Sequence, residues 1–163
     1  MANILLDAND TSFIVANNNS AVFGAAGDQS ILMNAGVQSV NLSSTVEEVN
    51  FSGNIGDFRF ADAGGGNLSV SDAEGNVLTT INGANGKKVS FADGTVEAGL
   101  DNTGALSVGG ETVDGTSAAL QNPVIDENDI SENAPAGGGG GETFTLTENT
   151  VDGSIDEGNT VTY

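Results

Sequence analysis

The chain contains no cysteine and no histidine. It therefore has no disulfide, no thiolate nucleophile, no imidazole base and no soft-metal site. Any metal that it binds must be a hard ion with oxygen ligands, and calcium is the leading choice. Tryptophan is absent and Tyr163 is the only tyrosine, although sugar-binding sites usually present one of these rings.

Basic residues are also scarce: Arg59, Lys87 and Lys88 stand against 23 acidic residues, for a net charge of −20. Binding along nucleic-acid phosphates needs clustered Lys and Arg, so this composition excludes it. It also disfavours docking on an anionic membrane surface. Self-repulsion on this scale favours a divalent cation as partner. The alternative is that the acidity only keeps a secreted protein soluble.

Long apolar runs are missing as well, so we expect no membrane insertion. The first residues, MANILLDAND, lack the basic and long apolar regions of a secretory signal. We therefore expect export to depend on a signal that has been removed or that lies beyond Tyr163.

Catalytic groups are few. Without His or Cys, the remaining pairs are Ser or Thr with Lys, or two carboxylates. Lys87 and Lys88 belong to no Ser-x-x-Lys motif, and no glycine run continues into the Gly-Lys-Ser/Thr of a phosphate loop. We predict no catalytic residues and no enzymatic activity.

Apolar pairs recur every nine residues over 3–65. They occupy the second and fourth positions of each block, with Gly24 the one exception. The pairs are Ile4 and Leu6, Phe13 and Val15, Val22 and Gly24, Ile31 and Met33, Val40 and Leu42, Val49 and Phe51, and Phe58 and Phe60.

Apolar residues two apart mark one face of a short strand, and the residues between pairs make a turn. A fixed period of nine is typical of parallel β-rolls. We therefore predict an all-β fold that begins with a short parallel β-solenoid, or β-roll, over residues 3–65, with two blocks per turn. An antiparallel meander of short strands and turns would have the same period and is the alternative.

The stretch GAAGDQSI, residues 24–31, resembles the calcium-binding nonapeptide of the repeats-in-toxin (RTX, haemolysin-type) family. Gly24, Gly27 and Ile31 match that pattern, whereas Gln29 occupies the Asp position and the acid lies one place earlier, at Asp28. The resemblance implies calcium binding, with Asp28 as the candidate ligand.

Turn signals change after the glycines of AGGGN, residues 63–67. Alternating runs flank DAEGN, Asp93-Gly94, Gly104 and Gly109-Gly110, which predicts antiparallel hairpins over residues 66–116. No segment has a helical period with caps, so we expect almost no helix.

The stretch FADGTV, residues 91–96, followed by LSVGGETV resembles segments of very large bacterial surface-layer and adhesin-like proteins that carry haemolysin-type repeats. This resemblance extends over about half of the chain. It implies an extracellular location, at the bacterial cell surface or secreted.

The stretch NPVIDENDISENAPAGG resembles the entry to a cadherin-like domain, although five glycines replace the usual first strand. The resemblance implies calcium held between neighbouring modules. Asp126, Asn128 and Asp129 would be linker ligands and Glu132 the ligand at the strand entry. Oxygen donors at this density suit Ca²⁺. The alternative is a solvated acidic linker.

Residues 137–141 are all glycine, and we expect them to form a flexible connector. The following SIDEGNTVTY resembles the opening of immunoglobulin-like β-sandwich modules. We predict a β-rich domain over 1–120, an acidic and then Gly-rich linker over 121–141, and the first strands of a further β module, or an exchanged strand, over 142–163.

Together these features predict a non-catalytic structural module of a secreted bacterial surface protein. It would assemble with itself into a surface layer or filament, with Ca²⁺ as the stabilising ion and further modules of the same chain as partners. The alternatives are an adhesin module that binds a glycan or cell-surface partner, and a spacer of a secreted enzyme.

Overall fold

The computed structural model describes residues 1–25, 28–132 and 134. They form an all-β unit with two mixed, open sheets. The elements are β1 (Ala2–Leu5), β2 (Ser12–Val15), β3 (Ser20–Phe23), β4 (Ser30–Met33), β5 (Val40–Leu42), β6 (Glu48–Asn50), a 3₁₀ turn (Ile55–Asp57), β7 (Phe58–Gly64), β8 (Asn67–Asp72), β9 (Val77–Ile81), β10 (Lys87–Phe91), β11 (Gly94–Leu100), β12 (Leu106–Val108) and β13 (Glu111–Thr112).

Consecutive strands β1 to β6 alternate between the two sheets. One sheet has the order β1-β3-β5-β9-β8-β7, and the other has β13-β12-β11-β10-β6-β4-β2. The pairs among β1 to β6 are parallel, and Ala2 faces Ser20, Ser12 faces Ser30, and Ser30 faces Glu48. Each of these partners lies eighteen positions along the chain, which is two blocks of nine. The antiparallel meander is therefore not the arrangement of these strands.

The seventh block departs from this parallel pairing. It forms β7, which pairs antiparallel with β8 through a turn in which Gly64, Gly65 and Gly66 all have positive φ. The chain then returns to the parallel arrangement, because β9 pairs parallel with β5 and β10 with β6. We call β1–β6, β9 and β10 the parallel stack. It includes two strands beyond residue 65, where the sequence predicted only hairpins.

The predicted hairpins are confirmed. Strands β8 and β9, β10 and β11, β11 and β12, and β12 and β13 pair antiparallel. Positive φ at Gly94, Gly104, Gly109 and Gly110 explains why glycine occupies these turns. Within the described part of the chain the short turn Ile55–Asp57 is the only helical element, and no helix there is long and apolar enough to cross a membrane.

Both sheets contribute to one hydrophobic core. The repeating apolar positions point into it, and Val22, Leu42, Ile31 and Val49 are almost fully buried. Phe91 of β10 connects the two sheets, since its ring stacks on Phe51 at 5.5 Å and meets the edge of Phe60 at 6.0 Å.

Candidate functional site

The acidic segment, residues 126–132, packs against the hairpin β10–β11. Asp126 and Thr95 exchange backbone hydrogen bonds of 2.9 and 3.1 Å, and Ser131 N donates to Phe91 O at 2.9 Å. A Cβ at Gly94 would collide with Ile125 and lie 2.8 Å from Asp126 O. The sequence predicted a linker over 121–141, and the contacts above show that part of it packs on the strands. The predicted glycine connector, 137–141, and the predicted further module, 142–163, lie outside the described residues.

The side chains of the acidic segment have separate partners. Asp126 Oδ1 accepts from the backbone N of Asn128 at 3.1 Å and from its Nδ2 at 3.3 Å. Asp129 Oδ2 lies 2.8 Å from Lys88 Nζ. This carboxylate, through its hydrogen bond and its charge, raises the pKa of Lys88 above its usual value. Glu132 is connected by its backbone N, which donates to Asn50 Oδ1 at 2.8 Å.

The structure therefore brings Asp126 and Asn128 together and pairs Asp129 with a lysine. Among residues 1–25, 28–132 and 134, no three acidic side chains gather into a group that could hold a metal ion. Calcium coordination by Asp126, Asn128, Asp129 and Glu132 remains a prediction.

Asp28 lies exposed at the turn before β4. It borders an open depression of about 390 Å³ whose other lining residues include Glu47, Glu48 and Lys88. Calcium binding by Asp28 also remains a prediction, and Gly27 lies outside the described residues.

Gln29 connects three loops of the parallel stack, namely the β1–β2 loop, the β3–β4 loop in which it lies and the β5–β6 loop. Its buried side chain accepts from Ala25 N at 2.7 Å and donates to Asp7 O at 2.7 Å. Its backbone O accepts from the N–H groups of Glu47 and Glu48, both at 3.1 Å. We call these contacts the Gln29 bridge. Sequence reasoning missed it, although the signal was present: an amide replaces the acid of the haemolysin-type pattern at this position.

On one side of the unit the sheets end in β7 and β13, and the residues that follow β12 contact both of these strands. At the edge of β7, Phe60 and Ala118 exchange backbone hydrogen bonds of 2.8 and 3.1 Å. At the edge of β13, the Glu111 carboxylate accepts from Gln121 N at 3.0 Å and also from Asn122 N. Residues 114–118 thus supply backbone partners to the edge of β7, and the Glu111 side chain holds residues 121–122 beside β13.

On the opposite side the sheets end in β1 and β2, which we call the first rung. β1 and β2 are the last strands of their sheets. No other described residue bonds to their outer edges. Leu5 is 79% exposed and Ile14 is 60% exposed, so the open edges carry large apolar side chains.

An apolar cavity of about 320 Å³ lies between the turns near β4 and β8. Met33, Phe51, Phe58 and Leu78 contribute its apolar wall. Asp57, Asp72 and Glu74 add carboxylates. Hydrogen bonds from Asn76, first from its side chain, lower the pKa of Asp72. The cavity offers an apolar surface with a negative border.

Comparison with known proteins adds no relative: no protein-family model, no curated protein and no solved structure matches this chain.

Proposed function

We propose that this chain is a non-catalytic structural module of a secreted bacterial cell-surface protein, and that it assembles with itself into a surface layer or filament. Its parallel stack is a short β-roll in this proposal. The observation that carries it is the difference between the two sides of the sheets. Residues 114–122 lie along β7 and beside β13 on one side, whereas no described residue pairs with the outer edges of the apolar first rung.

Solenoids need capping at their ends for solubility, and an unprotected strand edge is a template for pairing with another chain. A protein that caps one side and leaves the other open is suited to association through the open side. The composition agrees with a structural role, because histidine, cysteine and tryptophan are all absent.

Calcium in this proposal acts on the acidic segment and not inside the parallel stack. The Gln29 bridge joins successive turns by neutral hydrogen bonds, so those turns need no ion to connect them. In the acidic segment Asp126, Asn128, Asp129 and Glu132 supply oxygen donors. Asp129 would exchange Lys88 for the ion, and Ca²⁺ would offset part of the net charge of −20.

The second candidate function is a ligand-binding adhesin module. The cavity near Phe51 and Phe58 favours it, since small-molecule sites are concave and mostly apolar with a few polar groups. In that case the chain would recognise a glycan or another cell-surface component and would not grow into particles.

Light scattering of the purified full chain tests the proposal, first in EGTA and then with about 1 mM calcium, the range in which extracellular calcium modules bind. We expect ordered particles to grow on calcium addition. The variant Asp126→Asn/Asp129→Asn should need more calcium, whereas the matched control Asp114→Asn/Asp62→Asn should behave like the native chain. Unchanged size in calcium would contradict the proposal and favour the adhesin module.

A further inference from the structure

No described residue pairs with the outer backbone edges of the first rung, and the groups left without a partner there alternate along each strand. Ala2 N and Leu6 N donate to β3, at 3.2 and 2.9 Å. Successive residues of a strand direct their backbone groups to opposite sides, so Asn3 and Leu5 direct theirs away from β3. Along β2 and the residue before it, Thr11 O accepts from Ser30 N and Val15 O accepts from Asn34 N, which leaves the backbone groups of Ser12 and Ile14 on the open side.

Within the part of the chain that the structure describes, neither strand of the first rung has a feature that protects its edge. Native edge strands are protected by charged residues, proline, bulges or covering segments. β1 reads ANIL and β2 reads SFIV, with no charge and no proline in a chain that has 23 acidic residues. Their pairing registers with β3 and β4 show no bulge.

The core is also less covered at two positions of the first rung, although Leu6 and Val15 beside them are buried. Ile4 pairs with Val22 and Phe13 pairs with Ile31. Val22 and Ile31 are fully buried, whereas Ile4 and Phe13 are only partly buried. Another layer of strands placed on the first rung would therefore complete the apolar columns and the backbone pairing together.

We propose that the first rung is a self-association surface, where a second copy docks end to end about a twofold axis. This inference rests on the proposed self-assembly and names its contact. A second copy offers the same two uncharged edges, so both sheets continue across the interface without opposing carboxylates in the paired strands. A head-to-tail stack is disfavoured because residues 111–122 occupy the other side. Such an isologous contact makes a closed dimer, so growth of these dimers into a layer or filament needs a second contact, which in the proposed function is the calcium-dependent acidic segment.

The dimer is tested with the full chain in EGTA, by sedimentation equilibrium over a range of protein concentrations. The native chain should be a dimer. The variant Leu5→Glu/Ile14→Glu places like charges beside the paired edges, and we expect its dissociation constant to rise at least about tenfold. Both side chains are mostly exposed, so the thermal unfolding of the variant should confirm a folded monomer.

Two matched variants decide what occupies the edge. Val77→Glu/Leu100→Glu adds the same charge at two exposed apolar positions on strands that are paired on both sides, and it should leave the dimer intact. Phe144→Asp/Leu146→Asp alters the C-terminal run of the chain and should also leave it intact. If the C-terminal variant dissociates the native dimer, the occupant is the partner's C-terminal strand and the proposal is wrong.

A monomeric native chain would overturn the inference as well, and so would equal effects of the two glutamate pairs. These outcomes are separate from calcium-driven growth. Particles that grow with calcium from a monomer contradict this inference alone, and a dimer that never grows contradicts the proposed function alone.

Discussion

The loops of the parallel stack and the turns of the hairpins are stabilised by different kinds of hydrogen bond. In the inner turns of the stack, neutral groups bond between residues far apart in sequence: Gln29 to Asp7, Thr45 to Gly24, and Asn82 to Leu42. In the hairpin turns, carboxylates accept from N–H groups only two to four residues away, as at Asp72 and Asp101. A loop of the stack joins strands of different sheets and is stabilised by hydrogen bonds to a neighbouring loop or strand. A hairpin turn is stabilised by bonds among its own few residues.

Phe91 lies where the two regions meet, since β10 pairs parallel with β6 and antiparallel with β11. We expect Phe91→Ala to lower the free energy of unfolding by about 3–5 kcal/mol, because it opens a cavity among Phe51, Phe58 and Phe60. Denaturant unfolding measures this loss. The control is Phe23→Ala, because Phe23 is half-exposed. Equal losses of unfolding free energy in the two variants would contradict the role of Phe91 in connecting the sheets.

Gly94→Ala tests how firmly the hairpin region holds the acidic segment. Gly94 has a φ of 143°, and the new Cβ would collide with Ile125. Backbone strain and overpacking together should cost about 2–4 kcal/mol. Gly75→Ala, also at positive φ but with nothing near the new Cβ, should cost about 1 kcal/mol. Similar losses in thermal unfolding would show that the packing of residues 125–126 contributes little.

Gln29→Leu removes hydrogen bonds that lie only within the parallel stack. It leaves Ala25 N without its partner, whereas Asp7 O keeps its hydrogen bond from Asp10 N. An unsatisfied buried polar group costs about 1–3 kcal/mol. The control is Gln38→Leu, because the Gln38 side chain bonds to no described residue. Since no titrating group is removed, the deficit of Gln29→Leu should be the same at neutral and acidic pH. A deficit that changes strongly between the two would count against a neutral bridge.

Asp101 provides the contrasting, pH-dependent case. Hydrogen bonds from the Thr103 side chain, the Thr103 backbone and the Ala105 backbone lower the pKa of Asp101. Its stabilising effect is therefore present above the pKa of the unfolded chain and is lost as pH falls through the lowered folded value. We expect Asp101→Asn to be less stable than the native chain at neutral pH, and the difference to shrink with acid. Melting temperatures at several pH values measure this trend, and a constant difference would argue against it.

The periodic residues allowed much of the fold to be predicted. The apolar pairs of the nine-residue repeat were predicted to lie on one face of each strand. From Val15 to Phe60, every apolar member of these pairs is buried. The continuation of the stack by β9 and β10 was not predicted, because β9 follows its partner β5 by 39 residues and the intervening β7–β8 hairpin hides the period. Local alternation in VLTTI and KKVSF reveals a strand and not its neighbour.

The site was less predictable than the fold. Acidic residues 126–132 carry no pattern that distinguishes a free linker from a segment packed on a sheet. The packing depends on Gly94, which is remote in sequence and looked like an ordinary turn residue. The Gln29 bridge depends on an amide reaching Asp7 O, a contact between turns that no local pattern specifies.

The return of the chain after the β7–β8 hairpin has a consequence for tolerance to insertion. Partners in the stack lie 18 positions apart between Ala2 and Ser20 but 39 apart between Val40 and Thr79, and both pairs are in register. The stack therefore requires that the returning strand pair in register with its neighbour. It does not fix the number of residues between the two partner strands. The turn at Gly64–Gly66, with open space around two of its three glycines, is therefore a place where a guest peptide could be displayed without disturbing the layers below.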